Sequence, residues 1–267
     1  MAASADLDLL IRAAREAGDL ALGYFRNDPK AWAKGETSIV SEADIAVDRL
    51  LAERLLAGRP DYGWLSEETA DDPARLSRPR VFVVDPIDGT RAFLAGEKEW
   101  TVALAVVEHG ETVTSVLYAP ALGQMFQAEK GLGALRNGSS LHASERTEIT
   151  GAKVAGSRRF IREAQETASV SLDYYGYVPS LAYRLALVAS GEIDAAIARP
   201  GAYDWDLAAA DLLVHEAGGL LTEAGGDRPR YNGRDSRHAA LVAAAPALGE
   251  GMVALLAGAG SVPPRPA

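Results

Sequence analysis

The sequence predicts an α+β fold, that is, a mixed α/β chain in which two helices precede an antiparallel sheet and the second half alternates helices with strands. Two tight-turn signals support the sheet: His109-Gly110-Glu111 between two β-branched runs, and the pair Asn137-Gly138. Alternating helical and strand patterns after Gly151 support the mixed second half. We therefore expect two intimately packed halves, residues 1–146 and 147–267.

The first half opens with two predicted helices. Residues 6–26 and 42–56 each carry apolar side chains at helical spacing, and the polar residues 34–41 between them indicate a loop. The strands expected after these helices are residues 61–68, residues 81–84 beyond a polar Pro-containing loop, and the meander of residues 100–141.

The second half is predicted to alternate its elements. The expected strands are residues 152–157, 193–198, 218–224 and 238–245, and the expected helices are residues 160–169, 181–191, 205–219 and a terminal helix. The Pro-containing tail, residues 261–267, is expected to be disordered.

The composition is that of a globular protein. Of 267 residues, 48% are hydrophobic, and the net charge of −10 disfavours binding to nucleic-acid polymers or anionic membranes. No apolar run approaches the roughly 20 residues of a membrane span, and no signal peptide is evident, so a cytoplasmic protein is expected. The absence of cysteine excludes disulfides, thiolate metal ligands and a cysteine nucleophile. An anionic substrate would need local positive charge from a metal ion or arginines.

The stretch VVDPIDGT carries the clearest chemical signal. Asp85 and Asp88 follow an apolar strand, and Pro86 stiffens the turn so that both carboxylates can face one point. Mg²⁺ binds such hard oxygen ligands, and the Ile87 carbonyl is a further one. The following Gly89-Thr90 pair would start a helical turn whose N–H groups can hold a phosphate. The alternative interpretation is a plain capped turn.

Four further acidic residues lie in or beside predicted elements. Asp44 lies early in the second helix, Glu67 and Glu68 end a strand, and Asp206 opens the helix of residues 205–219. A divalent cation needs carboxylates that converge from different elements. The alternatives are a helix-surface charge for Asp44, a solvated charge for Glu68 and a helix cap for Asp206.

These motifs, taken together, resemble the inositol monophosphatase superfamily of lithium-sensitive, Mg²⁺-dependent phosphomonoesterases. The matching segments, in the family's order, are EAD with Asp44, Ser66–Glu68, DPIDGT at Asp85–Thr90, and Trp205–Gly219. Ser66 departs from the glycine that many members have. The resemblance implies a layered αβαβα sandwich with the site between the halves, two or three Mg²⁺ ions, a small phosphate ester as substrate, lithium inhibition and a homodimer.

The resemblance also implies the roles of individual residues. The implied metal ligands are Glu67, Asp85, the Ile87 carbonyl, Asp88 and Asp206. The implied catalytic residues are Asp44, Glu67 and Thr90, with Asp44 and Thr90 polarising the attacking water. Asp88, Gly89, Thr90 and Asp206 would also contact the substrate, the Gly89 and Thr90 amides by binding its phosphate.

Two arginines bear on which ester is cleaved. Arg199, seven residues before Asp206, stands where the inositol-specific branch has a carboxylate. Arg184, seven residues before Gly191, stands where the bisphosphate nucleotidase branch has a lysine. Two guanidinium groups would suit a second phosphate, so the leading substrate is 3′-phosphoadenosine 5′-phosphate. Equally, both arginines could be ordinary surface or ion-pair residues.

Other substrates and another class of function stay open at this point. Inositol 1-phosphate and histidinol phosphate are alternatives, and a non-catalytic regulatory protein on the same scaffold is an alternative of another class. Arg158 and Arg159 are candidate anion contacts whose more ordinary interpretation is surface charge, and Tyr203 could stack on a base. The histidines, which lack metal-ligand spacing, are assigned no role.

Overall fold

The computed structural model describes residues 4–34 and 38–260, and the tail predicted to be disordered lies outside them. The helices are α1 Ala5–Tyr24, α2 Glu42–Gly58, α3 Thr90–Leu94, α4 Arg158–Ala168, α5 Leu181–Ala189, α6 Asp204–Glu216 and α7 Gly249–Gly260. Short 3-10 helices are Pro73–Ser77, Pro120–Leu122 and Pro246–Leu248. Within the described part of the chain, no helix combines the length and apolarity needed to cross a bilayer.

Over residues 4–34 and 38–260 the strands form three sheets. They are β1 Ala31–Lys34, β2 Ser38–Ser41, β3 Gly63–Ser66, β4 Arg80–Asp88, β5 Thr101–Glu108, β6 Glu111–Ala119, β7 Gln124–Glu129, β8 Ala134–Arg136, β9 Ser139–Ser140, β10 Lys153–Ala155, β11 Asp173–Gly176, β12 Ala195–Ala198, β13 Leu220–Glu223 and β14 Leu241–Ala244. The seven-stranded sheet runs β3 to β9 in chain order, and the five-stranded sheet has the order β11-β10-β12-β14-β13. β1 and β2 pair with each other.

From β4 to β9 the seven-stranded sheet is an antiparallel meander, and two of its turns contain residues in the left-handed conformation. β3 and β4 are parallel, and every later neighbouring pair is antiparallel. His109 and Gly110 have φ of 51° and 80°, and Asn137 and Gly138 have φ of 50° and 84°. Two consecutive positive-φ residues make the hairpin turn that suits the twist of paired strands. Both predicted turns are therefore confirmed.

The layers follow from the apolar faces. α1 and α2 cover one face of the seven-stranded sheet, in a cluster that includes Leu10, Val47 and Phe82. α5 and α6 fill the space between the two sheets, and α4 and α7 cover the far face of the five-stranded sheet. In α5 every residue after the first is buried, as expected of a largely apolar helix that lies between two sheets. The predicted αβαβα sandwich is confirmed.

The structure differs from the sequence-based expectations in three places. Residues 34–41, predicted as a loop, include β2 and the end of β1. The side chains of β1 are all exposed and those of β2 pass from exposed to buried, so neither strand shows the alternation of a half-buried strand. β11 was not predicted. β4 does not stop at Val84 but continues through the DPID segment to Asp88. The two larger sheets lie on either side of residue 146, and the division into halves stays a prediction.

Candidate active site

The parallel pair β3 and β4 brings acidic residues to one edge of the seven-stranded sheet. Ser66 pairs with Val84, so Glu67, directly after β3, and Asp85, within β4, lie side by side. Beyond Asp85 the register with β5 shifts, and Pro86, which has no N–H, lies in that irregularity. Asp85 Oδ1 accepts the Ile87 N–H at 3.0 Å within it. The segment is therefore a hydrogen-bonded bulge as well as a source of two buried carboxylates.

Asp88 is held by the N-terminus of α5. Its Oδ2 accepts Ser180 Oγ–H at 2.5 Å and the Ala182 N–H at 2.7 Å, and its Oδ1 accepts the Leu181 N–H at 3.3 Å. Amides of a first helical turn lack partners within the helix and favour negative charge. The helix between the two sheets thereby fixes the orientation of this carboxylate.

Asp206 occupies the third position of α6. Its Oδ2 accepts the Tyr203 N–H at 2.6 Å, which is the contact of a residue that caps from inside the first turn. The capping interpretation and a metal role are compatible, because the second oxygen is not needed for the cap.

The three aspartates converge. Single carboxylate oxygens of Asp85, Asp88 and Asp206 all lie within 4.8 Å of one another. They line an open cleft, to which Glu67 and Thr90 also contribute. An all-oxygen donor set of this kind suits a hard divalent cation such as Mg²⁺. The residues present therefore fit the metal that the sequence predicts.

The acidic groups of the cleft hold their protons strongly. Burial, followed by repulsion from Glu68 and Asp206, raises the pKa of Glu67 to about 8. Burial and the charge of Asp88 raise the pKa of Asp206 to about 7, and burial also raises the pKa of Asp85 and Asp88. Negative charge in excess of nearby positive charge is the electrostatic condition that a bound divalent cation relieves.

The raised pKa values predict a pH-dependent stability of the metal-free protein. Glu67 and Asp206 have folded pKa values of about 8 and 7, above their ordinary values of 4.5 and 3.8. The folded state thus binds protons more tightly than the unfolded state, and this contribution to stability is full below about pH 4 and is lost as pH rises through 7 to 8. Thermal unfolding in EDTA should show a falling Tm from pH 5 to pH 9.

Two comparisons sharpen this measurement. Saturating Mg²⁺ should remove most of the slope, because the cation replaces the protons. Asp206→Asn should reduce the slope below about pH 7, the folded pKa of Asp206. A Tm in EDTA that is constant or rises over this range would contradict the assignment of excess negative charge to the cleft.

Asp44 and Thr90 form a hydrogen-bonded pair beside the aspartates. Thr90 Oγ1 lies 3.0 Å from Asp44 Oδ1 and 3.1 Å from the Ile87 carbonyl oxygen. Asp44 Oδ2 accepts both the N–H and the Oγ–H of Ser41, at 2.8 and 2.5 Å. Burial raises the pKa of Asp44 against these hydrogen bonds. Asp44 is thus buried at the start of α2, and the surface-charge interpretation is wrong.

Gly89 cannot be replaced without strain. It caps α3 with φ of 97°, and an added Cβ would lie 3.2 Å from the Glu99 carbonyl oxygen and 3.3 Å from Ser180 Cβ. Both the left-handed conformation and the close approach favour glycine. The chain can therefore turn from β4 into α3 directly beside Asp88, as the sequence predicts.

Arg184 and Arg199 lie together in a second pocket rather than among the aspartates. That pocket is lined also by Ser157, Phe160 and Leu181, and it shares Tyr177 with the acidic cleft. Arg184 is only 9% exposed, so the surface interpretation is wrong for this residue.

The guanidinium group of Arg184 is held by two backbone carbonyl groups of the protein. Its Nη1 donates to the Ile197 carbonyl at 3.1 Å and its Nη2 to the Val178 carbonyl at 2.9 Å. The buried Nε has no hydrogen-bond partner among the described residues. Two of the five guanidinium N–H groups of Arg184 are thus used within the protein, and the Nε–H is among those that remain for a ligand. Arg199 is exposed.

The remaining candidates have partners within the protein. Arg159 is an exposed residue of α4, and its side chain pairs with Glu163 at 2.8 Å. Arg158 lies over the Tyr174 ring at 5.8 Å. The Tyr203 ring stacks on Trp205 with centroids 4.6 Å apart, so one of its faces is already covered.

Four residues of the site region were missed by the sequence reasoning. Ser41 had a usable signal, since Ser-x-x-Asp before a helix is a capping-box pattern. Ser180 and Lys34 had none: Lys34 Nζ donates to the Glu67 carbonyl and to Glu68 Oε2, the latter at 3.0 Å, through tertiary contacts alone. His238, close behind Asp206, had been assigned no role.

Comparisons with known proteins agree with this geometry. The sequence model of the inositol monophosphatase family matches residues 4–260 of this chain. A histidinol-phosphatase of Chlorobaculum parvum is 31% identical over 265 residues, covering 94% of this chain and 96% of that protein. An inositol-1-monophosphatase of Rhizobium meliloti is 33% identical over 240 residues, covering 86% and 90%. The crystal structure of extragenic suppressor protein suhB from Bartonella henselae is 26% identical with a TM-score of 0.82, covering 95% and 98%.

Proposed function

Since this chain belongs to the inositol monophosphatase family and is a phosphoric monoester hydrolase, we propose that it is Mg²⁺-dependent and cleaves a small ester bearing a second anionic group. The observation that carries the metal dependence is the convergence of Asp85, Asp88 and Asp206. The observation that carries the substrate class is the arginine pocket beside them.

The metal would be held by side chains from both halves of the chain. Asp85, Asp88, Asp206, Glu67 and the Ile87 carbonyl are the proposed ligands of two or three Mg²⁺ ions. Mg²⁺ there supplies activation of water and neutralisation of the phosphoryl charge.

The proposed role of Thr90 is to orient the attacking water. When its hydroxyl donates to Asp44 Oδ1 at 3.0 Å, its oxygen lone pairs are left to accept a hydrogen bond from the water. Asp44 is itself fixed by Ser41, so the orientation of Thr90 is fixed in turn. The amides of Gly89 and Thr90 are the proposed phosphate contacts.

The residues of the second pocket favour a leaving group that carries a negative charge over one that is neutral or cationic. Arg184 Nε and Arg199 line it, and no acidic side chain is among its lining residues in the described part of the chain. Our leading substrate is 3′-phosphoadenosine 5′-phosphate, with release of the 3′-phosphate. Inositol 1-phosphate would bring neutral hydroxyls to these arginines. Histidinol phosphate, the alternative suggested by the name of one relative, would bring a cationic amine.

We expect a substrate comparison to separate these possibilities. Mg²⁺-dependent phosphate release should give a higher kcat/KM for 3′-phosphoadenosine 5′-phosphate than for inositol 1-phosphate or histidinol phosphate. Arg199→Met should lower kcat/KM for the bisphosphate by on the order of tenfold or more, the value of a charge-assisted hydrogen bond. It should leave turnover of inositol 1-phosphate unchanged.

Arg159→Met provides the matched control. It removes an arginine from α4, outside the second pocket, and should leave both substrates unaffected. A preference for inositol 1-phosphate that is indifferent to Arg199 would overturn the substrate class and leave the metal site standing. Failure of every ester to react with Mg²⁺ would overturn the metal-dependent reaction itself.

Three further expectations rest on the family resemblance. We expect lithium to inhibit by competing at a Mg²⁺ site, the protein to form a homodimer, and the enzyme to act in the cytoplasm on a small molecule rather than on a nucleic-acid polymer or a membrane.

A further inference from the structure

His238 is a buried histidine between two carboxylates. Its Nε2 lies 2.7 Å from Asp204 Oδ1 and its Nδ1 lies 3.0 Å from Glu223 Oε1, and the residue is 8% exposed. A protonated imidazole donates from both ring nitrogens, so the cationic form of His238 can bond to both carboxylates at once. Burial lowers the pKa of His238, but the hydrogen bonds to Asp204 and Glu223 outweigh it and raise the value.

Asp204 connects this histidine to the first turn of α6. Asp204 is the first residue of the helix and is fully buried. Its Oδ2 accepts the Asn232 N–H at 2.7 Å, and its own N–H donates to the Ser236 carbonyl at 2.9 Å. The segment of residues 231–238 therefore encloses the start of the helix that carries Asp206.

The backbone of His238 holds the residues just before the helix. Its N–H donates to the Ala202 carbonyl at 2.8 Å, and its carbonyl accepts the Gly201 N–H at 3.0 Å. Between these contacts and Asp204 lies Tyr203, whose N–H binds the Asp206 carboxylate at 2.6 Å. A rotation of the first turn would carry this N–H and the Asp206 carboxylate away from Asp85 and Asp88.

We propose that His238 is a positioning residue which, through Asp204, holds the first turn of α6 so that the Asp206 carboxylate completes the metal site. The proposal rests on the proposed function, since it takes Asp206 to be a metal ligand. Groups that support ligands from one step away commonly change metal affinity by about 10–100-fold when removed.

If His238 acted only through its positive charge, its removal would change the metal affinity in the opposite direction. The charged groups that face His238 are Asp204, Glu223 and, at longer range, Asp206, and the Tyr231 ring lies 5.5 Å from the imidazole. Removal of a nearby positive charge by itself favours binding of a second cation. Positioning therefore predicts weaker metal binding in a neutral variant, and a field effect predicts stronger binding.

The test is calorimetric titration of the full chain with Mn²⁺. His238→Gln, which can donate to only one carboxylate at a time, should weaken Mn²⁺ binding by on the order of tenfold. Glu223→Gln removes the other carboxylate and leaves the His238–Asp204 contact in place. It should lower Tm yet keep the Mn²⁺ affinity within about twofold of the wild type, because the contact that positions Asp206 is intact.

Unchanged or tighter Mn²⁺ binding in His238→Gln overturns the proposal, as does an equal loss in Glu223→Gln. If His238→Gln does not fold, Asp204→Asn replaces it, with the same expected loss and with wild-type affinity as the contradicting result. A wild-type chain that binds no Mn²⁺ would overturn the proposed metal dependence and this inference together, whereas a wild type that binds normally isolates the inference.

Discussion

Replacing Asp85 by Asn is expected to lower kcat/KM by more than about 10³-fold while making the metal-free protein more stable. The first effect follows because a metal at this site supplies several kcal/mol of charge stabilisation to the transition state. The second follows because Asp85 is almost fully buried, and its pKa is raised by burial and by Glu67, Asp88 and Asp206. Loss of this repulsion should raise Tm in EDTA at pH 8 by about 2–4 °C, the shift that about 1 kcal/mol causes in a domain of this size.

Asp211→Asn is the matched control for this prediction. Asp211 is also buried and lies on α6, but its Oδ2 is 3.1 Å from Arg228 Nη2 and its Oδ1 is 3.1 Å from His215 Nε2. Neutralising a buried carboxylate that is paired with the guanidinium group of Arg228 should lower Tm and leave turnover unaltered. Substantial phosphatase activity in Asp85→Asn, or a lower Tm in EDTA for that variant, would contradict the assignment of Asp85 to the metal site.

Thr90→Val is expected to lower kcat by about 10²-fold with little change in Mn²⁺ affinity. Valine keeps the branched shape but removes the hydroxyl that lies 3.0 Å from Asp44 Oδ1. A positioned group that takes part in proton transfer typically contributes about 10²–10⁴-fold. The measurements are kcat at saturating Mg²⁺ and a calorimetric Mn²⁺ titration of the same preparation.

Thr90→Ser keeps the hydroxyl and should retain most of the activity. Equal losses in the serine and valine variants would indicate that the methyl group and local packing matter, and that the hydroxyl does not. A loss of Mn²⁺ affinity in Thr90→Val as large as the loss of kcat would instead assign Thr90 to support of the Ile87 carbonyl, 3.1 Å away.

The fold was predictable where its cause is local. The turn at His109-Gly110 and the turn at Asn137-Gly138 needed only residues that tolerate positive φ. The layered order came from the family resemblance. The pairing of β1 with β2 was not predictable, because the side chains of β1 are all exposed, those of β2 pass from exposed to buried, and neither strand carries an alternating pattern.

The carboxylates of the site were predictable from the sequence, but the hydrogen bonds that orient the side chains of the site were not. The motif and the resemblance named Asp85, Asp88 and Asp206, and the structure brings them together. The contact between Ser180 and Asp88 joins positions 92 residues apart, so no local pattern announces it. The burial of Arg184 depends on where β12 and the segment before α5 happen to place carbonyls, which is a property of packing.

Tyr177 lines both pockets, at the boundary between the groups proposed for the reaction and those proposed for substrate binding. The groups proposed for the reaction come mainly from the ends of β3 and β4, whereas much of the second pocket comes from residues that follow β10 and β12. Tyr177, which is 67% exposed, lies where the two pockets meet. Descendants of one ancestor can therefore inherit the reaction unchanged while mutations around β10, β12 and this tyrosine redirect it to new molecules.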